Sequence, residues 1–207
     1  MHGLVTCAFE RFVRTSYGET LWEDVMHAAE VGFTRFEPVF HYEEGLTKRV
    51  LALCAQHLDK SRAEILEDFG TFLVANPDNT VLRRLLRFSG ADYETFLYSL
   101  EDLRGRARLA VPDLSLPEVE LEELDGGEFE VFCRSQDTGF GYVLLGVLRA
   151  MADEYGALVM IDYKGKSGNA DRIHVNLLDG DYSGGRDFDL TTGDVGQMDD
   201  GVKGSAA

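Results

Sequence analysis

The chain has 207 residues, of which 44% are hydrophobic and 11% aromatic, and its formal net charge is -17. This composition is typical of one folded globular domain and excludes a disordered chain. The negative charge argues against general binding to nucleic acid or anionic lipid, because like charges repel over about 10 Å, roughly one Debye length.

The cysteines and the apolar segments indicate the cellular location that we expect for the protein. Cys7, Cys54 and Cys133 are far apart in the sequence and include no C-x-x-C pair, so neither a zinc site nor a disulfide framework is predicted. The most apolar run, residues 142–148, is far shorter than the roughly 20 residues of a membrane-spanning helix. The N-terminal residues show no secretory or lipidation signal. We therefore expect a cytoplasmic protein that does not bind membranes.

Residues 1–111 are predicted to form a helical lobe. Apolar residues recur at helical spacing from Leu4 to Val13, which predicts a first helix. Thr20 can cap a second helix that ends at Gly32.

The rest of this lobe is also helical in pattern. A third helix is predicted after Thr47, and Ser61 with Glu64 forms a capping box for a fourth. The segment 76–79 is a turn motif. Two more helices are predicted after that turn, a short one over residues 81–90 and a longer one from Asp92 to just before Pro112.

Residues 112–178 are predicted to form an α/β lobe. After Pro117 the apolar period changes to two, and Asp125-Gly126-Gly127 separates two alternating runs, which predicts a β-hairpin. A helix over residues 140–155 and two strands over residues 158–163 and 172–178 follow. The predicted fold is α+β, with a helical lobe followed by a four-stranded antiparallel sheet in the order β-β-α-β-β. Residues 179–207 are rich in Gly and Asp, so we expect a flexible acidic tail.

Several short motifs, in their order and spacing, resemble the haem NO/oxygen-binding (H-NOX) family. The resemblance covers residues 1–178 and lies in the following segments: Met1-His2-Gly3, Tyr17-Gly18, Trp22, Tyr42, Phe69-Gly70-Thr71-Phe72, residues 96–103, Thr138-Gly139-Phe140 and residues 145–148. It implies a sensor domain in which a haem b lies between the two lobes.

The residue expected to bind the haem iron is absent. In the family a proximal His directly follows an L-x-x-L pattern, which stands here as Leu100-Glu101-Asp102-Leu103. The next residue is Arg104, whose protonated guanidinium has no lone pair to give to iron. The axial ligand that the resemblance implies is therefore missing.

The residues expected to hold the haem propionates are also changed. The family has a Tyr-x-Ser-x-Arg motif, and the matching positions here are Cys133, Ser135 and Asp137. Asp137 would repel a carboxylate where the family's Arg pairs with it. Arg134 is one position away and would point to the other side of a strand.

Other side chains could in principle bind iron. Cys133 alternates with buried-pattern residues of its strand, which favours a structural thiol. None of the five histidines matches the proximal position. Each is more simply interpreted as a surface or hydrogen-bonded side chain: His2, His27, His41, His57 and His174.

These patterns predict a non-enzymatic sensory domain without bound haem, which acts through protein contact or an apolar ligand. No nucleophile elbow, P-loop, zinc-protease or dinucleotide motif supports an enzyme. The alternative is a haem-based NO/O2 sensor with another axial ligand. The resemblance implies a protein partner, either a histidine kinase or a cyclic-nucleotide or dinucleotide signalling enzyme. We expect one apolar seam between the lobes, filled by side chains, lined by Val5, Phe9, Phe12, Phe96, Leu100, Leu144 and Leu148.

Overall fold

Seven α-helices and four strands build the protein within the described part of a computed structural model, residues 1–79, 86, 90–135 and 139–184. The helices are α1 (Gly3–Tyr17), α2 (Glu19–Ala28), α3 (Glu44–Leu58), α4 (Arg62–Ala75), α5 (Tyr93–Ser99), α6 (Leu103–Ala110) and α7 (Phe140–Tyr155). Helix α7 follows the first hairpin. The strands are β1 (Glu118–Glu123), β2 (Glu128–Arg134), β3 (Leu158–Ser167) and β4 (Ala170–Asp179). The predicted α+β class is confirmed, with seven α-helices in the described residues.

The first residues of the helices show which local sequence signals determine where a helix begins. Ser61 and Glu64 form the predicted capping box at α4. The predicted cap of α2 was wrong, because Gly18 takes that position at a φ of 97° and places Thr20 inside the helix. Helix α3 begins at Glu44, earlier than expected. The short helix predicted over residues 81–90 lies almost wholly outside the described residues.

The predicted long helix before Pro112 is divided. Residues Leu100–Asp102 form a 3-10 turn between α5 and α6. Leu100 is buried in the core on this turn, whereas Glu101 and Asp102 are exposed. Because a 3-10 turn winds more tightly than an α-helix, it changes the direction in which the next side chains point. The turn ends two residues before Arg104.

The sheet is antiparallel throughout, with the strand order β1-β2-β4-β3. Along β2 the residues Phe129, Val131 and Cys133 are buried while their neighbours are half-buried, as the alternation predicts. The second hairpin is longer than expected, since β3 reaches Ser167 and β4 starts at Ala170. A β-bulge between Tyr163 and Gly165 keeps the two strands paired.

The start of the predicted tail is ordered. Asp179 pairs with Leu158 at the end of β4, and the Ser183 amide donates a hydrogen bond to the Gly156 carbonyl at 3.0 Å. Strand β4 thus ends one residue after Leu178, and the boundary between domain and tail stays a prediction. Residues 185–207 lie outside the described residues, so their predicted flexibility stays a prediction.

Two hydrophobic cores meet where α4 crosses α7. One core is built by α1–α4, and the other by α5, α7 and the sheet. At the crossing the two helices touch through glycines: a Cβ on Gly70 would lie 2.0 Å from the Val143 carbonyl oxygen, and one on Gly146 would lie 2.0 Å from that of Glu67. Only glycine allows this approach. The crossing fixes how the two lobes enclose the space between them.

Within the described ranges no helix combines the length and the hydropathy that crossing a bilayer would need.

Candidate functional site

Arg104 lines a polar cavity of about 420 Å³ between α6, the N-terminal segment and the end of β2. Its Nη1 lies 4.0 Å from a carboxylate oxygen of Glu118 on β1. Arg104 is about one third exposed, so the pair is in contact with solvent and contributes little to stability. We call this space the polar cavity; it is lined by Met1, His2, His41, Arg104, Asp113, Ser115, Leu116, Glu118, Arg134, Ser135 and Asn169.

The structure brings together two of the four predicted site residues. Ser135 follows β2 and lines the polar cavity with Arg104. Cys133 does not reach this cavity, because its side chain is fully buried in the core. Burial raises the pKa of the Cys133 thiol to about 12, and the nearby Asp171 carboxylate adds to the shift, so the group stays a thiol. Asp137 lies outside the described residues.

Arg134 lines the polar cavity, but its guanidinium is already paired with a carboxylate of the sheet. It forms an ion pair with Glu120 across the β1–β2 ladder. Glu120 is exposed and on the outer face of the sheet, whereas Cys133 points into the core. This agrees with the prediction that a one-residue displacement points the side chain to the other side.

Two histidines lie at the polar cavity, which sequence reasoning did not foresee. The rings of His2 and His41 meet edge to face with centroids 4.8 Å apart. Nδ1 of His2 accepts a hydrogen bond from the Leu4 amide at 3.1 Å, which caps α1. Burial and then the neighbouring His41 lower the pKa of His2, which favours a neutral imidazole. The signal in the sequence was His2 at an N-cap position, but its pairing with His41 depends on tertiary structure.

The other histidines are remote from this cavity. His27 and His57 are exposed on α2 and α3. His174 on β4 lies with Nδ1 3.1 Å from a carboxylate oxygen of Glu130. In the part of the chain that the structure describes, no three His, Cys, Asp or Glu residues cluster closely enough to hold a metal ion.

A second, apolar cavity of about 80 Å³ lies on the side of the helical lobe, and we call it the inner cavity. Val5 and Phe9 line it, as predicted. The rest of the predicted seam was wrong: Phe12 is buried in the helical core, and the others are buried in the core of the α/β lobe, namely Phe96, Leu100, Leu144 and Leu148. These residues do not line one seam, because the apolar side chains of the chain are divided between two cores. Side chains fill most of the expected seam, and a space of about 80 Å³ remains beside Val5 and Phe9.

Met1 lies between the two spaces, since it lines both the polar cavity and the inner cavity. Its backbone nitrogen donates a hydrogen bond to the Tyr42 carbonyl at 2.9 Å, and the Gly3 amide donates one to the Phe40 carbonyl at 2.8 Å. A Cβ on Gly3 would lie 2.2 Å from the Glu37 carbonyl oxygen. The start of α1 is thus held tightly against the 37–42 loop, with the imidazoles on one side and the apolar space on the other.

The arrangement of these groups does not suit a haem bound as the family resemblance implies. The group at the proximal position is a guanidinium, which cannot donate a lone pair to iron. The thiol at the first position of the propionate motif is buried and protonated. Only Ser135 retains both its family identity and its place at a cavity.

Comparison with known proteins relates the chain to one family. The family model described as Haem-NO-binding matches residues 2–163. Among curated proteins, soluble guanylate cyclase gcy-35 of Caenorhabditis elegans is 28% identical over 156 residues, which is 73% of this chain and 22% of the cyclase. Soluble guanylate cyclase 89Da of Drosophila melanogaster is 22% identical over 169 residues, 82% of this chain and 25% of the cyclase. The chain thus spans about a quarter of the length of these relatives.

Solved structures show the same fold. An H-NOX protein from S. oneidensis superposes with a TM-score of 0.75 at 16% identity, covering 87% of this chain and 97% of that one. An Fe(II) unliganded H-NOX protein from K. algicida also gives a TM-score of 0.75 at 16% identity, covering 89% and 100%. With the family model matching most of the sequence and the fold agreeing throughout, the chain belongs to the haem-NO-binding family and has the H-NOX fold.

Proposed function

We propose that this protein is a non-enzymatic H-NOX sensory domain that does not bind haem in the family manner and that signals through contact with another protein. The observation that carries this proposal is Arg104 at the wall of the polar cavity, beside Glu118. A permanently charged guanidinium next to a carboxylate is stable there without a metal, and it offers iron no ligand.

The buried Cys133 thiol supports the same conclusion. The Cys133 side chain is fully buried, so it cannot replace a phenol that hydrogen-bonds to a propionate at the cavity surface. Its side chain is already surrounded by the core of the α/β lobe. Both functions of the family's haem site are therefore lost at separate places in the fold.

The proposed partner is a signalling enzyme. The relatives are soluble guanylate cyclases of which this chain covers about a quarter, which supports a cyclic-nucleotide enzyme as the output component. A dinucleotide enzyme or a histidine kinase is the other partner class that the family resemblance implies. The cytoplasm, where such enzymes act, is the proposed location.

The proposal is tested by titrating the purified protein with haem and following the Soret region of the absorption spectrum. We expect spectra that equal the sum of free haem and protein, with no saturation at a one-to-one ratio. A saturable, red-shifted Soret band at stoichiometric haem would contradict the proposal.

A second candidate function is a haem-based NO/O2 sensor with another axial ligand, and the histidine pair favours it. His2 and His41 line the same polar cavity as Arg104, and the lowered pKa of His2 favours the neutral form that binds iron. If the titration shows binding, His2→Ala and His41→Ala would identify the ligand, because only loss of the ligating imidazole changes the shape and position of the Soret band. His57→Ala, at an exposed site on α3, is the matched control.

A further inference from the structure

The inner cavity continues into a larger space toward the surface. This outer cavity has a volume of about 420 Å³ and shares four lining residues with the inner cavity, namely Lys48, Leu51, Leu66 and Gly139. The neck between them is formed by Leu66 packed against Gly139, because a Cβ on Gly139 would lie 2.5 Å from Cδ1 of Leu66. The two cavities therefore adjoin along one path from the surface to the apolar interior.

The outer cavity carries positive charge in an otherwise acidic protein. Lys48, Arg62 and Lys166 line it from α3, α4 and β3, and all three are exposed. Lys48 bonds to Glu44 at 2.5 Å, whereas neither Arg62 nor Lys166 forms an ion pair within the described residues. Three cations at one opening attract an anion even though the whole chain has a net charge of -17.

Asp171 is the carboxylate on the wall of the outer cavity, and it is turned into the protein. It is 7% exposed, and one of its oxygens accepts a hydrogen bond from the Tyr163 hydroxyl at 2.6 Å. Burial and this hydrogen bond raise the pKa of Tyr163, so its hydroxyl keeps the donated proton. Among the described residues, three cations and one carboxylate line the outer cavity; the carboxylate is already hydrogen-bonded, and Lys48 is paired with Glu44 of the inner cavity.

Most of the remaining walls are apolar. The rings of Tyr142 and Tyr163 lie with centroids 4.5 Å apart beside the outer cavity. Farther in, the inner cavity is bounded by Phe9, Phe69 and Val143. A ligand that follows this path meets cations first and then hydrocarbon.

We propose that the inner and outer cavities together bind a small amphipathic carboxylate. Its hydrocarbon end would occupy the inner cavity, and its carboxylate would lie among Lys48, Arg62 and Lys166 at the opening. An inner volume of about 80 Å³ limits the length of the tail, which selects short- and medium-chain acids over long-chain ones. The inference rests on the proposed function, in which no haem occupies the space between the lobes, and it supplies the ligand class that such a sensor would detect.

The test is a calorimetric titration of the full chain with butyrate, hexanoate, octanoate and octanol, supported by amide NMR to locate the site. We expect affinity to rise about fourfold for each methylene, the equivalent of about 0.8 kcal/mol, until the inner cavity is filled. Octanol should bind more weakly than octanoate, and amide shifts should concentrate at Phe140, Val143 and Leu66. Equal binding of octanol and octanoate, or shifts confined to another surface, would overturn the inference.

Charge reversal at the opening separates this site from general attraction of anions. Arg62→Glu lies in the first turn of α4, where a carboxylate favours the helix, so we expect this variant to keep the wild-type melting temperature. We expect Arg62→Glu and Lys166→Glu each to weaken octanoate binding about fivefold or more. Arg108→Glu makes the same change in net charge at an exposed site on α6 and should leave binding unchanged.

Two outcomes distinguish this inference from the proposed function. If octanoate does not bind at millimolar concentration while haem also fails to bind, the inference is overturned and the proposed function stands. If haem binds stoichiometrically, the proposed function fails whatever the calorimetry shows, and loss of octanoate binding in haem-loaded protein would then show that both ligands use the same space.

Discussion

The guanidinium Nη1 of Arg104 lies 4.0 Å from the carboxylate of Glu118, across the gap between α6 and β1. This contact places a fixed positive charge at the position where the family resemblance implies an imidazole bound to iron. A carboxylate of the protein lies beside this charge, although the solvent-exposed pair contributes little to stability. The domain therefore keeps the H-NOX fold while one of its cavities is lined by a charged group that cannot bind a metal.

Arg104→His should restore weak haem binding, and adding Asp137→Arg should strengthen it. The imidazole supplies an axial ligand, and the second change replaces a carboxylate that would repel the propionates. The measurement is a haem titration followed at the Soret band. Arg104→Gln is the control, since it removes the charge without adding an imidazole, and it should stay colourless. A double variant that folds with the wild-type melting temperature yet shows no Soret band would show that the macrocycle does not fit.

Cys133→Tyr should destabilise the fold by about 1–3 kcal/mol, because a phenol must be forced into the core where the thiol is fully buried. The free energy of unfolding is measured by urea denaturation. Cys133→Ala is the matched control and should cost less, since it removes only a sulfur atom. We therefore expect that replacing Cys133 with the Tyr of the family motif does not restore a side chain that binds a propionate. An unchanged stability of Cys133→Tyr would mean that the ring turns out of the core toward the cavity.

Gly146→Ala should be strongly destabilising, by about 3 kcal/mol or more, because the added methyl would lie 2.0 Å from the Glu67 carbonyl oxygen and push α7 away from α4. Gly105→Ala is the comparison, since a Cβ there meets nothing within 4 Å and alanine favours the helix by up to about 1 kcal/mol. Thermal and urea denaturation of both variants give the difference. Similar stabilities for the two variants would refute the close contact between the helices.

Thiol labelling should distinguish the three cysteines. Burial raises the pKa of Cys54 and of Cys133 to about 12, so at pH 8 only about one molecule in ten thousand carries either thiolate. Cys7 is partly exposed, and its pKa is raised by burial and by Glu10, so it should react slowly. With a disulfide reagent the native protein should release about one equivalent and the denatured protein three. Cys7→Ser should abolish the native reaction; rapid labelling of two or more thiols in the native protein would contradict this assignment.

Local signals in the sequence predicted much of the fold. The Ser61–Glu64 capping box needs only residues three positions apart, and the alternation of Phe129, Val131 and Cys133 fixed the buried side of β2. The α2 start was mispredicted because Gly18 adopts a left-handed φ that no propensity scale assigns to it. The 3-10 turn at Leu100–Asp102 depends on packing against the sheet, so an uninterrupted apolar period did not reveal it.

The sequence predicted the residues of the candidate site only where the amino-acid type at a motif position identifies them. Arg104 and Ser135 were found from motif positions, and both line one cavity. The contact of His2 with His41 and the neck formed by Leu66 and Gly139 depend on how distant segments pack, which no spacing in the sequence encodes. For the same reason the apolar residues expected in one seam are divided between two cores.

The most direct test of the central claim is the absorption spectrum of the protein purified from cells supplied with a haem precursor and passed through gel filtration. The account predicts a colourless protein whose spectrum shows only the aromatic band in the near ultraviolet, because Arg104 gives iron no ligand. A Soret band that stays with the protein peak at a one-to-one ratio of haem to chain would contradict it.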